Sequence, residues 1–172
     1  VPGVITGKPI ALGGSLGRDD ATARGGFYLT RHLTERLGLP DEAPRVVVQG
    51  FGNAGQHIAR LFHDIGARIV AVSDSRGAIH DENGLDIDAL IAAKAEGRSV
   101  VEAAHGASVN SAEDLIGVDC DILAFSALED MIHADNAASV KAKVVLELAN
   151  GPVTPDADRI LAERGITVLP DI

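Results

Sequence analysis

Tryptophan is missing from this 172-residue chain, and tyrosine, cysteine and methionine each occur once. With aromatics at 3% of residues, the core has to be built from Val, Ile, Leu and Ala rather than from large rings. The lone cysteine, Cys120, rules out an internal disulfide and, set in the apolar run VDCDILAF, reads as a small core residue. Basic side chains are scarce: fifteen Lys and Arg stand against twenty-five Asp and Glu, a formal charge of −10. That balance argues against nucleic acid or an anionic membrane as the main partner. No apolar stretch is long enough to cross a bilayer and no signal peptide is visible, so the expected location is cytoplasmic. The six histidines show no HExxH or comparable ligand spacing, so no metal site is expected. The opening Val1-Pro2-Gly3 reads as a cut inside a longer protein.

What is present in quantity is glycine, and its placement carries the argument. Residues 45–74 read RVVVQGFGNAGQHIARLFHDIGARIVAVSD. The β-branched run Val46-Val47-Val48 enters Gly50-Phe51-Gly52-Asn53-Ala54-Gly55, a helical pattern follows, and the run Ile69-Val70-Ala71-Val72 ends at Asp74, nineteen residues after Gly55. Strand, glycine turn, helix, strand and acid stand in the order of a dinucleotide-binding βαβ unit. Gly50 allows the tight turn, Gly52 lets backbone approach a pyrophosphate, and Gly55 lets the helix pack on the strand. The helix N-terminus offers free N–H groups to a phosphate, and Asp74 is placed to accept from ribose hydroxyls. Two other readings of the same residues stay open: a methyltransferase-like nucleoside site, and a glycine-rich turn that binds nothing.

The rest of the chain alternates. Residues 1–17 read as a connecting segment and 19–37 as a helix capped by Asp19 or Asp20, with Phe27, Leu29, Leu33 and Leu37 apolar and Gly38 at its end. Strand 46–50, helix 53–65 and strand 68–73 follow; 76–84 is a turn-rich loop with room for a short hairpin. Helix 86–96 comes next, then an uninformative stretch at 97–111. Short helices at 111–116 and 134–140 flank strand 121–125. Strand 143–147, helix 155–164 and strand 166–169 complete the order. Strands separated by helices predict an α/β fold of the Rossmann type: a doubly wound, mostly parallel sheet with helices on both faces.

Two further stretches, TGKPIALGGSLGRDDATARGG (6–26) and LELANGPVTPDADRILAERGITVLPDI (146–172), join QGFGNAG in one resemblance. Together they resemble the C-terminal nucleotide-binding domain of glutamate dehydrogenases, whose family also holds leucine, phenylalanine and valine dehydrogenases. The family's hallmarks are TGKP, GGSxGRxxATGRG, QGFGNVG, an SDS-type strand ending and GANGPTTPEAD leading to VPDI. The resemblance runs over nearly the whole chain in order and spacing. It implies that residues 1–172 form an NAD(P)-binding domain beside a separate substrate domain. In that family the enzyme oxidises L-glutamate to 2-oxoglutarate and ammonia, and hydride passes to or from C4 of the nicotinamide.

Matching positions imply roles. Thr22 would bond the nicotinamide carboxamide, and Arg18 would lie toward the substrate. Gly50, Phe51, Gly52, Asn53, Ala54 and Gly55 would hold the pyrophosphate. Ser73 and Asp74 would meet the adenosine ribose, Ser126 and Ala127 would line the cofactor, and Asn150 would reach the nicotinamide end. By residue chemistry alone, Thr22 and Arg18 read as the start of a helix, and Asn150-Gly151-Pro152 as an ordinary strand-to-helix turn. Asp74 favours NAD by charge, whereas Arg76 is placed to receive a 2′-phosphate; the reading leans to NAD with NADP left open.

Three departures stand out. Ala23 replaces a glycine of ATGRG, Leu148 replaces a glycine before ANGP, and Phe125-Ser126-Ala127 replaces Pro-Ala-Ala. If position 148 needs glycine, Leu148 is expected to crowd the cleft. The family's substrate domain, with its catalytic lysine and aspartate and the lysines that hold the substrate carboxylates, has no counterpart here. None of the four lysines matches the catalytic motif, so no catalytic residue is expected in this chain. The resemblance therefore implies a cofactor-binding half that does not turn over glutamate alone. It also implies assembly as a homo-oligomer largely through the other domain. An amino-acid dehydrogenase for leucine, valine or phenylalanine, and a non-catalytic dinucleotide-binding module, are the other readings.

Overall fold

The computed structural model describes residues 7–104 and 108–171. Thr6 of TGKP, with the rest of 1–6 of the connecting segment, residues 105–107 and Ile172 lie outside the described residues. A seven-stranded sheet organises the chain. Its strands are β1 (Arg45–Gln49), β2 (Arg68–Asp74), β3 (Gly77–His80), β4 (Ser108–Asn110), β5 (Ile122–Phe125), β6 (Val144–Glu147) and β7 (Thr167–Leu169). The order is β4-β3-β2-β1-β5-β6-β7. Five strands pair in parallel, and at one edge β3 runs opposite to both of its neighbours, β2 and β4. The turn-rich loop does form a hairpin with β2, and the uninformative stretch contributes the short edge strand β4.

Alternation along the strands sends side chains to two cores. Val46, Val48, Ile122, Ala124, Val144 and Leu146 pack with the helices α1 (Ala21–His32), α2 (Asn53–Asp64) and α3 (Ile87–Ala95). Val47, Leu123, Phe125 and Val145 pack with α4 (Pro155–Glu163) and with 3₁₀ turns at Glu113–Gly117 and Ala137–Ser139. Helices thus cover both faces. The strand β2 breaks step once: Val46 pairs with Ile69 but Val47 with Ala71, so Val70 is an extra residue. Val70 and Ala71 consequently both face the second core, while Ile69 and Val72 face the first. Phe27 of α1 meets Phe62 of α2 edge-on, ring centroids 5.3 Å apart, which locks the two helices together.

Three expected helices come out shorter or tighter. The first ends at His32 rather than 37. Thr34 Oγ1 donates to the carbonyls of Arg31 (2.9 Å) and Thr30 (3.3 Å), and the chain winds through turns to Gly38 at φ +61°. Asp20 occupies the N-cap without capping an N–H; its carboxylate pairs with Arg24 instead. The expected helix 111–116 is a 3₁₀ turn led by a reciprocal Ser111–Asp114 cap. The expected helix 134–140 is only a 3₁₀ turn at Ala137–Ser139. There the Asn136 side chain accepts from His133 N–H and donates to Met131 carbonyl, both at 2.9 Å, in place of a helical ladder. By contrast α3 and α4 start as expected, with Asp86 accepting from Ala89 N–H and Thr154 from Ala157 N–H. Among the described residues no helix is long and apolar enough to cross a membrane. Cys120 is buried, and burial together with the neighbouring Asp121 and Asp119 pushes its thiol up to about 12, which makes it inert.

Candidate dinucleotide site

The chain leaves β1 toward β2 on one side and later returns through β5 on the other. The crevice at the carboxyl ends of β1 and β5 is therefore the switch point where open α/β sheets bind ligands. Three glycines shape it differently. Gly50 has φ +93°, and a Cβ there would lie 2.5 Å from Ala127 Cβ. At Gly55 a Cβ would fall 1.8 Å from Gly50 carbonyl oxygen, inside the turn itself. At Gly52, the N-cap of α2, a Cβ would meet nothing within 4 Å, so the bare backbone faces open space. The first N–H groups of α2, from Asn53 to Gly55, have no intrahelical partner and open on the same space. This cradle fits an anion such as a pyrophosphate, because no side chain fills it and the first N–H groups of α2 are left unpaired.

The turn is held from both sides. Gly50 N–H donates to Ser73 Oγ at 3.2 Å and Phe51 N–H to Ser73 carbonyl at 2.6 Å. Ser126 Oγ donates to Gly50 carbonyl at 2.5 Å and is 3.0 Å from that of Gln49. Ser73 and Phe51 are therefore buried supports, and the Ser126 hydroxyl points inward as a staple. Asn53 Nδ2 reaches Asp19 carbonyl at 2.6 Å, tying α2 to the segment before α1.

At the end of β2, Asp74 is already engaged. Its Oδ1 accepts from Arg76 N–H at 2.9 Å, and its Oδ2 from Lys94 Nζ at 2.8 Å and Val100 N–H at 2.9 Å. Its side chain is 7% exposed. Burial disfavours the charged form, but Lys94 and the two backbone donors outweigh it and hold the carboxyl below 3.8. One lone-pair site remains for a ribose hydroxyl, since a carboxylate has about four. Lys94 was not legible as a partner, because nothing local marks a lysine in the last turn of α3 for an acid twenty residues earlier.

Across the sheet, from Asp74 on β2 to Asn150 beyond β6, lie three strand spacings, roughly 14 Å. Asn150 borders two hollows of about 410 and 400 Å³. The first is bounded by Thr22, Gly25 and Gly26 of α1 and by Glu147, the second by Ser126 and Ala127. Leu148 stands between them. Arg18 lies elsewhere, in a separate hollow with Pro9, Ser15 and Asp19. Glu147 was also missed: buried, it accepts from Val153 N–H (3.1 Å) and Asp171 N–H (3.3 Å), while Asp171 accepts from Gly151 N–H at 2.9 Å. This clamp fixes the loop that presents Asn150. Burial raises the pKa of Glu147, and the two backbone donors offset that only in part.

The departures find their explanation here. Leu148 does not adopt a left-handed backbone, so glycine is not required at 148. Its side chain occupies the space a Cβ on Gly26 would take, Cδ2 lying 2.6 Å from that point. Leu148 fits because residue 26 has no side chain. Ala23 is an interior residue of α1, where alanine suits the helix better than glycine. We expect Gly26→Val to destabilise the chain by about 1–3 kcal/mol. Adding Leu148→Gly should restore part of that loss, with a coupling of about 1 kcal/mol in urea unfolding of all four members of the cycle.

The profile of the "Glutamate/Leucine/Phenylalanine/Valine dehydrogenase" family matches residues 13–172. The chain is 47% identical over 171 residues to an NAD-specific glutamate dehydrogenase of Staphylococcus aureus, covering 99% of this chain and 41% of that protein. To a glutamate dehydrogenase of Thermotoga maritima it is 49% identical over 173 residues, covering all of this chain and 41% of the relative. The chain thus spans about two fifths of the curated relatives it matches. Among solved structures, the leucine-bound hetero-hexameric glutamate dehydrogenase of Thermus thermophilus superposes with a TM-score of 0.87 at 38% identity, over 99% of this chain and 40% of that one. The chain belongs to the glutamate/leucine/phenylalanine/valine dehydrogenase family.

Proposed function

We propose that residues 1–172 are the NAD(P)-binding domain of a glutamate dehydrogenase, which oxidises L-glutamate to 2-oxoglutarate and ammonia with NAD and runs in reverse. One observation carries the reading: the open glycine cradle at Gly52 and the hollows bordered by Asn150 share the carboxyl edge of the sheet, with Ala127 lying against Gly50 and lining the nearer hollow. The N–H groups of Asn53 to Gly55 hold the pyrophosphate, and Asp74 offers its remaining lone pair to the adenosine ribose. Thr22 and Asn150 orient the nicotinamide, and Leu148 keeps water from that end. When bound, the nicotinamide accepts hydride at C4. Arg18 faces the substrate only once the remainder of the enzyme is in place.

The proton acceptor and the groups that hold glutamate lie on a substrate domain outside this chain, so the chain alone binds cofactor without turnover. In the full enzyme we assign a homo-oligomer in the cytoplasm. The test combines this chain with the substrate domain of the S. aureus relative and follows NADH formation. Glutamate-dependent turnover is expected only when both parts are present. Turnover with leucine, valine or phenylalanine but not with glutamate overturns the substrate assignment.

A further inference from the structure

We propose that the amino-terminal edge of the sheet, opposite the cleft, binds a small oligophosphate. A groove of about 510 Å³ lies there between the turn after α1, the start of β6 and the start of β7. Its charged lining residues are Arg36, Lys141, Lys143 and Arg164, with no carboxylate among them. Four of the fifteen basic residues thus line the groove and none of the twenty-five acids does, in a chain of charge −10, although Asp121 pairs with Lys143 from beside it. Convergence of like charges costs free energy that a multivalent anion recovers.

The four cations are unequally committed. Arg164 donates to the carbonyls of Ala137 (2.6 Å) and Val140 (2.7 Å), which fixes its guanidinium at the groove wall. Lys143 Nζ rests 2.9 Å from Asp121 and is half exposed. Arg36 and Lys141 are exposed and make no hydrogen bond or ion pair among the described residues. Two cations are therefore held in place and two are free to close on a ligand. Thr167 adds a hydroxyl at the rim. With Lys143 matched by Asp121, the three remaining cations still ask for more than one negative charge, and the volume suits a small molecule. The same elements run to the cleft at their other ends: α1 carries Thr22 and β6 leads to Asn150.

The test is a calorimetric titration of the 172-residue chain with sodium tripolyphosphate at low ionic strength. Saturable binding is expected, persisting in Gly52→Val and weakened about tenfold in Arg36→Ala/Lys141→Ala. The charge-preserving pair Arg36→Lys/Lys141→Arg should keep it. Three results overturn the proposal: no saturable binding, binding unchanged in the double alanine variant, or binding lost in Gly52→Val, which would place the anion at the glycine turn. The outcome does not depend on the dehydrogenase reading.

Discussion

NADH titrated into the Gly52→Val chain gives no saturable heat, while the parent binds. Residue 52 has ordinary extended dihedrals, φ −84° and ψ −156°, and open space where a side chain would go. Valine is a poorer N-cap than glycine, so the stability cost stays near 1 kcal/mol, or about 2–4 °C in the unfolding midpoint. The isopropyl group nevertheless fills the open space beside the N–H groups that begin α2, and an affinity loss of about a hundredfold or more is expected. Gly55→Ala is the contrasting control. Its methyl would sit 1.8 Å from Gly50 carbonyl oxygen, a backbone atom, so the turn itself must move, at about 3 kcal/mol. One substitution removes binding and spares the fold; the other damages the fold first. Parental NADH affinity in Gly52→Val would sink the cofactor assignment.

Lys94→Met shifts cofactor choice toward NADH. With Lys94 in place, the charge of Asp74 is matched at 2.8 Å, and a 2′-phosphate meets a neutral pair with Arg76 beside it. The Arg76 side chain is 66% exposed and, among the described residues, pairs with Glu102 at 3.4 Å, so it can turn to the phosphate. Without Lys94 the phosphate faces a bare carboxylate. Two unit charges about 4 Å apart interact by roughly 4 kcal/mol at an effective dielectric near 20, and a third of that is tenfold in affinity. The ratio of NADPH to NADH dissociation constants should rise about tenfold in Lys94→Met, stay put in Lys94→Arg, and rise in Arg76→Ala as well. An unchanged ratio in Lys94→Met would show that Asp74 does not face the 2′ position.

The same variant has a pH signature. The depressed pKa of Asp74 contributes stability that is present above 3.8 and lost as pH falls through its folded value. Lys94→Met removes a main cause of the depression. It should lower stability at neutral pH and flatten the loss below pH 3.8, as read from urea midpoints.

The glycine turn was legible because its physics is local: Gly50, Gly52 and Gly55 are set by backbone dihedrals and by one strand–helix contact. Helices α3 and α4 start close to where they were read, and the caps the structure gives them, Asp86 and Thr154, are equally local. The failures involve side chains that compete with the backbone. Thr34 and Asn136 each take a hydrogen bond that helix continuation would need, and composition does not tell when they will. The site's supporting contacts were hidden for another reason. Lys94 to Asp74, Ser126 to Gly50 and Leu148 over Gly26 join segments that only the fold brings together. The Ser126 and Leu148 departures looked like losses in isolation, yet each has a structural complement.

The extra residue in β2 has a consequence for the direction of the acid. Side chains on a strand alternate, but the bulge seats Val70 and Ala71 on one face, so Val72 shares the face of Ile69 although the two lie three positions apart. Asp74, two residues further on, therefore projects to the side of α2 and α3, where Lys94 and Val100 N–H wait, and Ser73 turns the other way. The same letters in a regular strand, without the bulge, would aim the carboxylate at the other layer of the protein, because residues five apart on a regular strand, as Ile69 and Asp74 are, face opposite ways. The spacing between the last glycine and the acid is thus a matter of parity as much as of reach.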